Sequence, residues 1–275
     1  MANYIQYKIR VNGEEQAEIL TALLSDFPFE SFESENEYLC AYIPSTTLEP
    51  HIEDIEQILG DTEYYSTEIQ AQNWNAEWES NFEEVVIDDK VIIRAPFHAH
   101  RPEFGNLEVV IQPKMSFGTG HHSTTRLMVE MMLGLDLNGS SLLDMGSGTG
   151  VLAIVASKLG AKRVLAIEID DMAEESVREN IEINGVGAIV TSVCGDASAI
   201  GNECFDTILA NINRNILLND MATYRRSLSA GARLIISGFL AEDVDILTTH
   251  ASSLDLESRR VLSHDGWYAI EFVAI

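Results

Sequence analysis

Apolar positions change their period twice along the chain. Tyr4, Ile5, Tyr7, Ile9 and Val11 come at strand spacing, and Asn12-Gly13 ends the run. Ala17, Leu20, Leu23 and Leu24 then fall at helical spacing within Glu14 to Leu24. Phe29 to Glu33 and Tyr38 to Ile43 flank Glu35-Asn36-Glu37, which predicts a hairpin. Thr46 or Thr47 is placed to cap a helix carrying Ile52, Ile55, Ile58 and Leu59, with Gly60 just past its end. Thr62 to Ile69 supplies a last strand. The order β-α-β-β-α-β over residues 1–70 predicts a small α+β ferredoxin-like domain, with nothing catalytic in it.

Residues 71–112 read as a structured connector. Trp74, Trp78 and Phe82 recur every four residues, which puts them on one helical face and predicts packing of aromatic area. Val85 to Ala95 and Leu107 to Ile111 read as strands around a polar turn with Pro96, Pro102 and Gly105. His98 and His100 would share a strand face, but no third ligand accompanies them, so they are expected at the surface or in packing and no metal is expected.

From about residue 139 strand and helix alternate. Strands are predicted at Ser141 to Met145, Arg163 to Ile169, Ile189 to Cys194, Phe205 to Ala210 and Arg233 to Ser237. Helices are predicted at Val151 to Leu159, Met172 to Asn184, Ile216 to Leu228 and Glu242 to Leu254, with closing strands at Ser258 to Ser263 and Trp267 to Ala274. Repeated βα units imply an α/β, Rossmann-like domain over residues 113–275, with a mostly parallel doubly wound sheet and ligands beyond its carboxyl ends.

Charge narrows the partners. The 275 residues carry 17 Lys and Arg against 44 Asp and Glu, a net of −27. Residues 1–112 hold 23 acids and 5 bases, residues 113–275 hold 21 and 12, so the first part is the more acidic for its length. Such a field repels nucleic-acid phosphates and favours a basic protein; solubility alone is the plainer use. The stretch Leu234 to Ala241 spans eight residues, against the roughly 20 that cross a bilayer, and MANYIQYKIRVNG has no long apolar core of a secretory signal. Cys40, Cys194 and Cys204 are isolated, without disulfide or zinc spacing. A cytoplasmic monomer is the expectation, with no membrane and no nucleic-acid partner.

Three segments carry chemistry. Leu142-Leu143-Asp144-Met145-Gly146-Ser147-Gly148-Thr149-Gly150 runs into an apolar helix, and Glu168 lies 22 residues beyond Gly146 at the end of the next strand. Gly146 and Gly148 let a ligand touch the backbone, and a carboxylate at Glu168 can hold both ribose hydroxyls of a nucleoside. A dinucleotide fingerprint reads G-x-G-x-x-G, whereas this turn reads D-x-G-x-G-x-G. Asp144 beside the turn disfavours a pyrophosphate and suits an amino group and a sulfonium charge, which describes S-adenosyl-L-methionine. The second segment, Met115 to Thr125, reads MSFGTGHHSTT; Ser123 or Thr124 is placed to cap the following helix, whose Met128, Met131 and Met132 are expected to pack. The third, Phe205 to Asn213, delivers Asn211 at a carboxyl strand end, where its side-chain oxygen can orient an attacking amine; a plain turn residue is the alternative. Asp196 after the third strand can reach an adenine amino group or simply serve its turn.

Together these segments resemble the ribosomal protein L-eleven methyltransferases, the PrmA type of class I S-adenosylmethionine-dependent enzymes. F-G-T-G-x-H-x-T-T is complete at Phe117 to Thr125, which makes His122 its histidine. L-D-x-G-C-G-S-G appears at Leu143 to Gly150 with Ser147 for Cys and Thr149 for Ser, D-I-D-P as Glu168-Ile169-Asp170-Asp171, and A-N-I-L as Ala210-Asn211-Ile212-Asn213. Asn73 to Trp78 is similar to the family's connector. The resemblance implies a substrate-recognition domain followed by a methyltransferase domain that modifies lysine side chains and the N-terminal α-amine of that basic ribosomal protein. It implies Thr125, Gly146, Glu168 and Asn211 as cofactor contacts. The alternatives are a methyltransferase of another protein or small molecule, and a nicotinamide-dependent oxidoreductase.

Overall fold

The computed structural model describes residues 3–60, 62–69, 82–113 and 118–275. Trp74, Trp78 and the Met115-Ser116-Phe117 part of the second motif lie outside the described residues. The chain divides into two compact units, Met1–Asn81 and Phe82–Ile275.

In the first unit, strands β1 (Tyr4–Arg10), β2 (Ser31–Glu35), β3 (Tyr38–Pro44) and β4 (Tyr64–Ile69) form an antiparallel sheet in the order β2-β3-β1-β4. Helices α1 (Glu14–Leu24) and α3 (Ile52–Leu59), with a short α2 (Ser45–Leu48) between, complete the unit. Period-2 alternation sends Tyr7, Ile9, Leu39, Ala41 and Ile43 to one face, where Leu20, Leu24, Ile55 and Leu59 of the helices bury them. The capping expectation fails: Thr46 and Thr47 sit inside α2, and Thr47 Oγ1 donates to the Pro44 carbonyl (3.0 Å). Gly60 ends α3 as expected, its N–H reaching the Glu56 carbonyl at 2.9 Å.

The second unit begins earlier than the 113–275 read from the sequence. Val85 to Ala95 is not one strand but a hairpin, β5 (Val85–Ile87) and β6 (Val91–Arg94), turning at Asp88-Asp89, both at positive φ. β7 (Glu108–Val110) pairs parallel to β6. Ile87, Val91, Ile93, Val109 and Ile111 join the same core as Leu127, Met128 and Met131, so most of the expected connector is packed into the second unit. His98 and His100 lie in irregular chain rather than on a strand: His98 Nε2 donates to the Phe82 carbonyl (2.6 Å), and His100 pairs with Glu108.

The main sheet has the order β10-β9-β8-β11-β12-β14-β13. β8 (Ser141–Met145), β9 (Arg163–Glu168), β10 (Val190–Cys194), β11 (Phe205–Asn211) and β12 (Leu228–Leu240) are parallel; β14 (Trp267–Ala274) pairs antiparallel with both β12 and β13 (Leu256–His264). Helices α4 (Ser123–Leu133), α5 (Val151–Lys158) and α6 (Asp171–Ile183) bury one sheet face, and α7 (Arg214–Arg226) and α8 (Val244–Ser252) the other. Every residue of α5 from Val151 to Ser157 is buried, as its uninterrupted apolar run requires. Chain order runs outward from β8 through β9 to β10, then returns to the other side of β8 at β11. That reversal opens a crevice beyond the carboxyl ends of β8 and β11, the place where open α/β sheets bind ligands.

Candidate functional site

The penultimate residue of β8 is a polar one that its surroundings do not satisfy. Asp144 is 1% exposed; Oδ2 accepts from the Ala153 N–H (3.0 Å), while Oδ1 has no hydrogen-bond partner. Burial raises its carboxyl to about 7, the Ala153 bond opposing and the Glu168 charge adding to the rise. The chain then turns through Gly146 at φ 69°, where a Cβ would stand 2.3 Å from Ile212 Cγ2. Glycine is needed here both for the left-handed backbone and for the approach of the Ile212 loop.

Glu168, at the end of β9, is buried and folds onto this turn. Oε2 accepts from the Gly148 N–H (2.8 Å), and Oε1 from the Ile169 (2.9 Å) and Asp170 (3.2 Å) N–H groups. The turn is anchored behind by Thr149: its hydroxyl donates to the Gly118 carbonyl (2.6 Å) and its own carbonyl accepts from Asn180 Nδ2 (2.9 Å). Asn180, wholly buried, also accepts the Gln112 N–H (2.8 Å). One helical asparagine therefore holds the glycine turn to the chain that leads into the second motif.

Across the crevice, β11 carries Asn211, whose Oδ1 is buried and without a partner. Ile212 follows, wedged between two glycines: a Cβ on Gly238 would lie 2.3 Å from the Ile212 carbonyl oxygen. Gly238 sits at φ 98°, where the β12–β14 register slips between Ser237 and Phe239. A hollow of about 260 Å³ is lined here by His122, Thr124, Asn211, Ile212, Asn213, Gly238 and Trp267. Asn213, in the place of the family's leucine, caps α7 by accepting the Ile216 N–H (3.2 Å).

The second motif meets this hollow through His122. The cap of α4 is neither Ser123 nor Thr124 but His122, whose Nδ1 accepts from the Thr124 N–H (3.2 Å). Burial lowers the imidazole pKa, which leaves it neutral at pH 7, and its ring stands edge-on to Trp267 with centroids 4.8 Å apart. Thr125 is 1% exposed, and its hydroxyl has no partner.

The structure thus gathers Asp144, Gly146, Gly148 and Glu168 around one turn, with Asn211 next to it through Ile212 and Gly146. Asp196 stands apart in its bonding: it caps the turn Ala197–Ile200, accepting from the Ser198 N–H (2.9 Å) and hydroxyl (2.6 Å). Gly238 and Trp267 were not anticipated from the sequence. A glycine directly after the predicted strand Arg233 to Ser237 was the available signal for the first; Trp267 reaches the site only through the antiparallel return of β14. Among the described residues no group of three His, Cys, Asp or Glu is placed to hold a metal ion.

Residues 8–274 match the family model described as Ribosomal protein L11 methyltransferase (PrmA). A relative of that name from Porphyromonas gingivalis is 46% identical over 264 residues, covering 93% of this chain and 90% of its own. One from Bacteroides fragilis is 40% identical over 263 residues, covering 93% of each. The crystal structure of a ribosomal protein L11 methylase from Lactobacillus delbrueckii subsp. bulgaricus is 25% identical and superposes with a TM-score of 0.66, covering 70% of this chain and 99% of its own. With a family match running nearly end to end, and a Rossmann-like α/β unit carrying the motif turns, the chain belongs to the PrmA family of ribosomal protein L11 methyltransferases.

Proposed function

We propose that the chain transfers methyl groups from S-adenosyl-L-methionine to lysine side chains and the N-terminal α-amine of ribosomal protein L11. The observation that carries the reading is that four of the seven buried side-chain polar atoms without partners among the described residues fall at motif positions: Asp144 Oδ1, Ser147 Oγ, Thr125 Oγ1 and Asn211 Oδ1. Buried polar atoms are normally paired, so four such orphans at motif positions mark places for ligand groups. Asp144, Gly146, Gly148, Glu168, Thr125 and Asn211 would hold the nucleoside and its amino-acid tail, with Asp196 near the base. When bound, the cofactor supplies a methyl group on a positively charged sulfur.

A carboxylate has about four acceptor sites, and Glu168 already uses three on backbone N–H groups. To take a ribose diol it gives up or shares the Gly148 bond. A phosphate would instead meet the negative end of Asp144 and Glu168, which disfavours a dinucleotide.

The amine must attack as the free base, although lysine ordinarily titrates near ~10.4. The Trp267 and Ile212 walls of the hollow strip water from it and favour the neutral form. Asn211 Oδ1 accepts one amine N–H and so aims the nitrogen lone pair at the methyl carbon. The bound cofactor would supply the methyl group to this lone pair, its sulfur keeping the electron pair of the C–S bond. The resulting N-methylammonium loses a proton before the next transfer; among the described residues no carboxylate lines the hollow, and that proton passes to solvent.

We assign substrate recognition to residues 1–70, where among the described residues one sheet face carries no helix. Tyr4, Tyr42 and Tyr65 stand on that face, bonded to Glu30, Glu33 and Glu63. Acid-rimmed tyrosines suit the lysines and arginines of a basic protein by charge and by cation–π contact. The experiment is labelled-methyl transfer to purified ribosomal protein L11 with mass mapping of the products. Methylated lysines and α-amine are expected from the wild type, and Asn211→Ala should lower kcat about 100-fold with cofactor still bound. No transfer to that protein, or an unchanged Asn211→Ala rate, would refute the reading.

A further inference from the structure

His121 occupies the variable position of the motif, between Gly120 and the motif's His122, and no cofactor contact requires it. Its ring is nonetheless held at both nitrogens. Its Nε2 lies 2.9 Å from the Glu83 carbonyl oxygen, and its Nδ1 lies 3.1 Å from Thr119 Oγ1. A carbonyl only accepts, so Nε2 carries the proton; Nδ1 of the neutral ring is then an acceptor, and the Thr119 hydroxyl donates to it. The Phe82 ring stands edge-on to the imidazole at 4.6 Å. Glu83 and Phe82 are the first residues of the second unit, and His98 holds the Phe82 carbonyl in the same way.

The loop that His121 holds turns on two glycines. Gly118 and Gly120 both have positive φ and are buried, Gly118 against Thr149 and Gly120 against Ile93. A second polar anchor is the Thr149 hydroxyl on the Gly118 carbonyl, and that bond leads directly into the glycine turn. One end of the loop is thus tied to the cofactor side and the other to the chain entering the unit. Between them it sets the position of His122 and Thr124 on the wall of the hollow.

We propose that His121 is a positioning residue that orders Gly118–His122 before ligand arrives, so that the cofactor does not have to order the loop itself. This rests on the cofactor reading above. A loop that is competent only part of the time lowers apparent affinity by that fraction, whereas a saturated enzyme turns over as before. The latch therefore acts on binding and leaves kcat nearly alone. A single exposed hydrogen bond has the size to shift such an equilibrium by about tenfold.

Two variants separate the bond from the bulk. His121→Phe keeps a ring against Phe82 but removes the donor. His121→Gln keeps a donor at similar reach without the ring. Cofactor affinity is measured by calorimetry on the full chain with S-adenosyl-L-methionine and with S-adenosylhomocysteine, alongside kcat and thermal unfolding. The expected result is a Kd about tenfold weaker for His121→Phe, within twofold of wild type for His121→Gln, with kcat and the unfolding midpoint unchanged in both. Equal Kd for wild type and His121→Phe, equal loss in both variants, or a loss that appears in kcat or the unfolding midpoint and not in Kd overturns the proposal. If the wild type binds neither nucleoside, it is the cofactor reading that fails.

Discussion

Asp144 makes the site's chemistry visible in proton uptake. Its carboxyl titrates near 7 in the folded chain against 3.8 for the free group, so between those values the folded state holds a proton that the unfolded state has lost. Stability therefore falls as pH rises from about 4 to about 7 and levels off above, a change on the order of 4 kcal/mol from this group. Asp144→Asn should abolish that slope and unfold at higher temperature than wild type at pH 8, as calorimetry across pH would show. A cationic ligand reverses the preference and draws out the ionised form. Affinity for S-adenosylmethionine should accordingly rise with pH up to about 7 and flatten beyond it, with proton release detectable as buffer-dependent binding heat. In Asp144→Asn the pH dependence should vanish along with much of the affinity.

Among the elements, the turn-and-strand pair around Ile212 is the least forgiving. Gly238 has positive φ and no room for a methyl, because the obstruction is the Ile212 carbonyl itself and not a side chain that can swing away. Gly238→Ala should push the Asn211–Asn213 segment out of register, cutting methyl transfer about 100-fold and stability by about 2 kcal/mol, read from single-turnover rates and denaturant melts. This is also where the sequence says least. Asp144, Gly146, Glu168 and Asn211 announce themselves because each sits beside a local pattern, a strand running into glycine or an apolar run ending in amide. Gly238 and Trp267 take their meaning from β12 and β14 meeting across the sheet, and local periodicity cannot report such a meeting. Val85 to Ala95 misleads for a related reason: its apolar run hides a turn made by Asp88-Asp89, two residues that tolerate positive φ without the glycine that usually marks it. The βα alternation of the second unit, by contrast, is plain, since the central strands β8, β9 and β11 are buried on both faces and helices such as α6 and α7 are long enough to show their period.

For the whole molecule the uneven charge matters most. Residues 1–112 carry twice the net negative charge of residues 113–275, −18 against −9, on a shorter stretch of chain. Attraction of that kind acts on encounter and is screened by salt. With a basic protein substrate kcat/KM should fall about tenfold between roughly 0.02 and 0.3 M salt while kcat holds, and a small uncharged amine should show no such slope. The sheet also divides the labour. Five parallel strands present the glycine turn and Glu168, whereas Trp267 stands on an antiparallel ribbon, β13–β14, laid along their flank. A lineage can therefore reshape the ribbon's tip, and with it the clientele the enzyme serves, and leave the cofactor half as it was inherited.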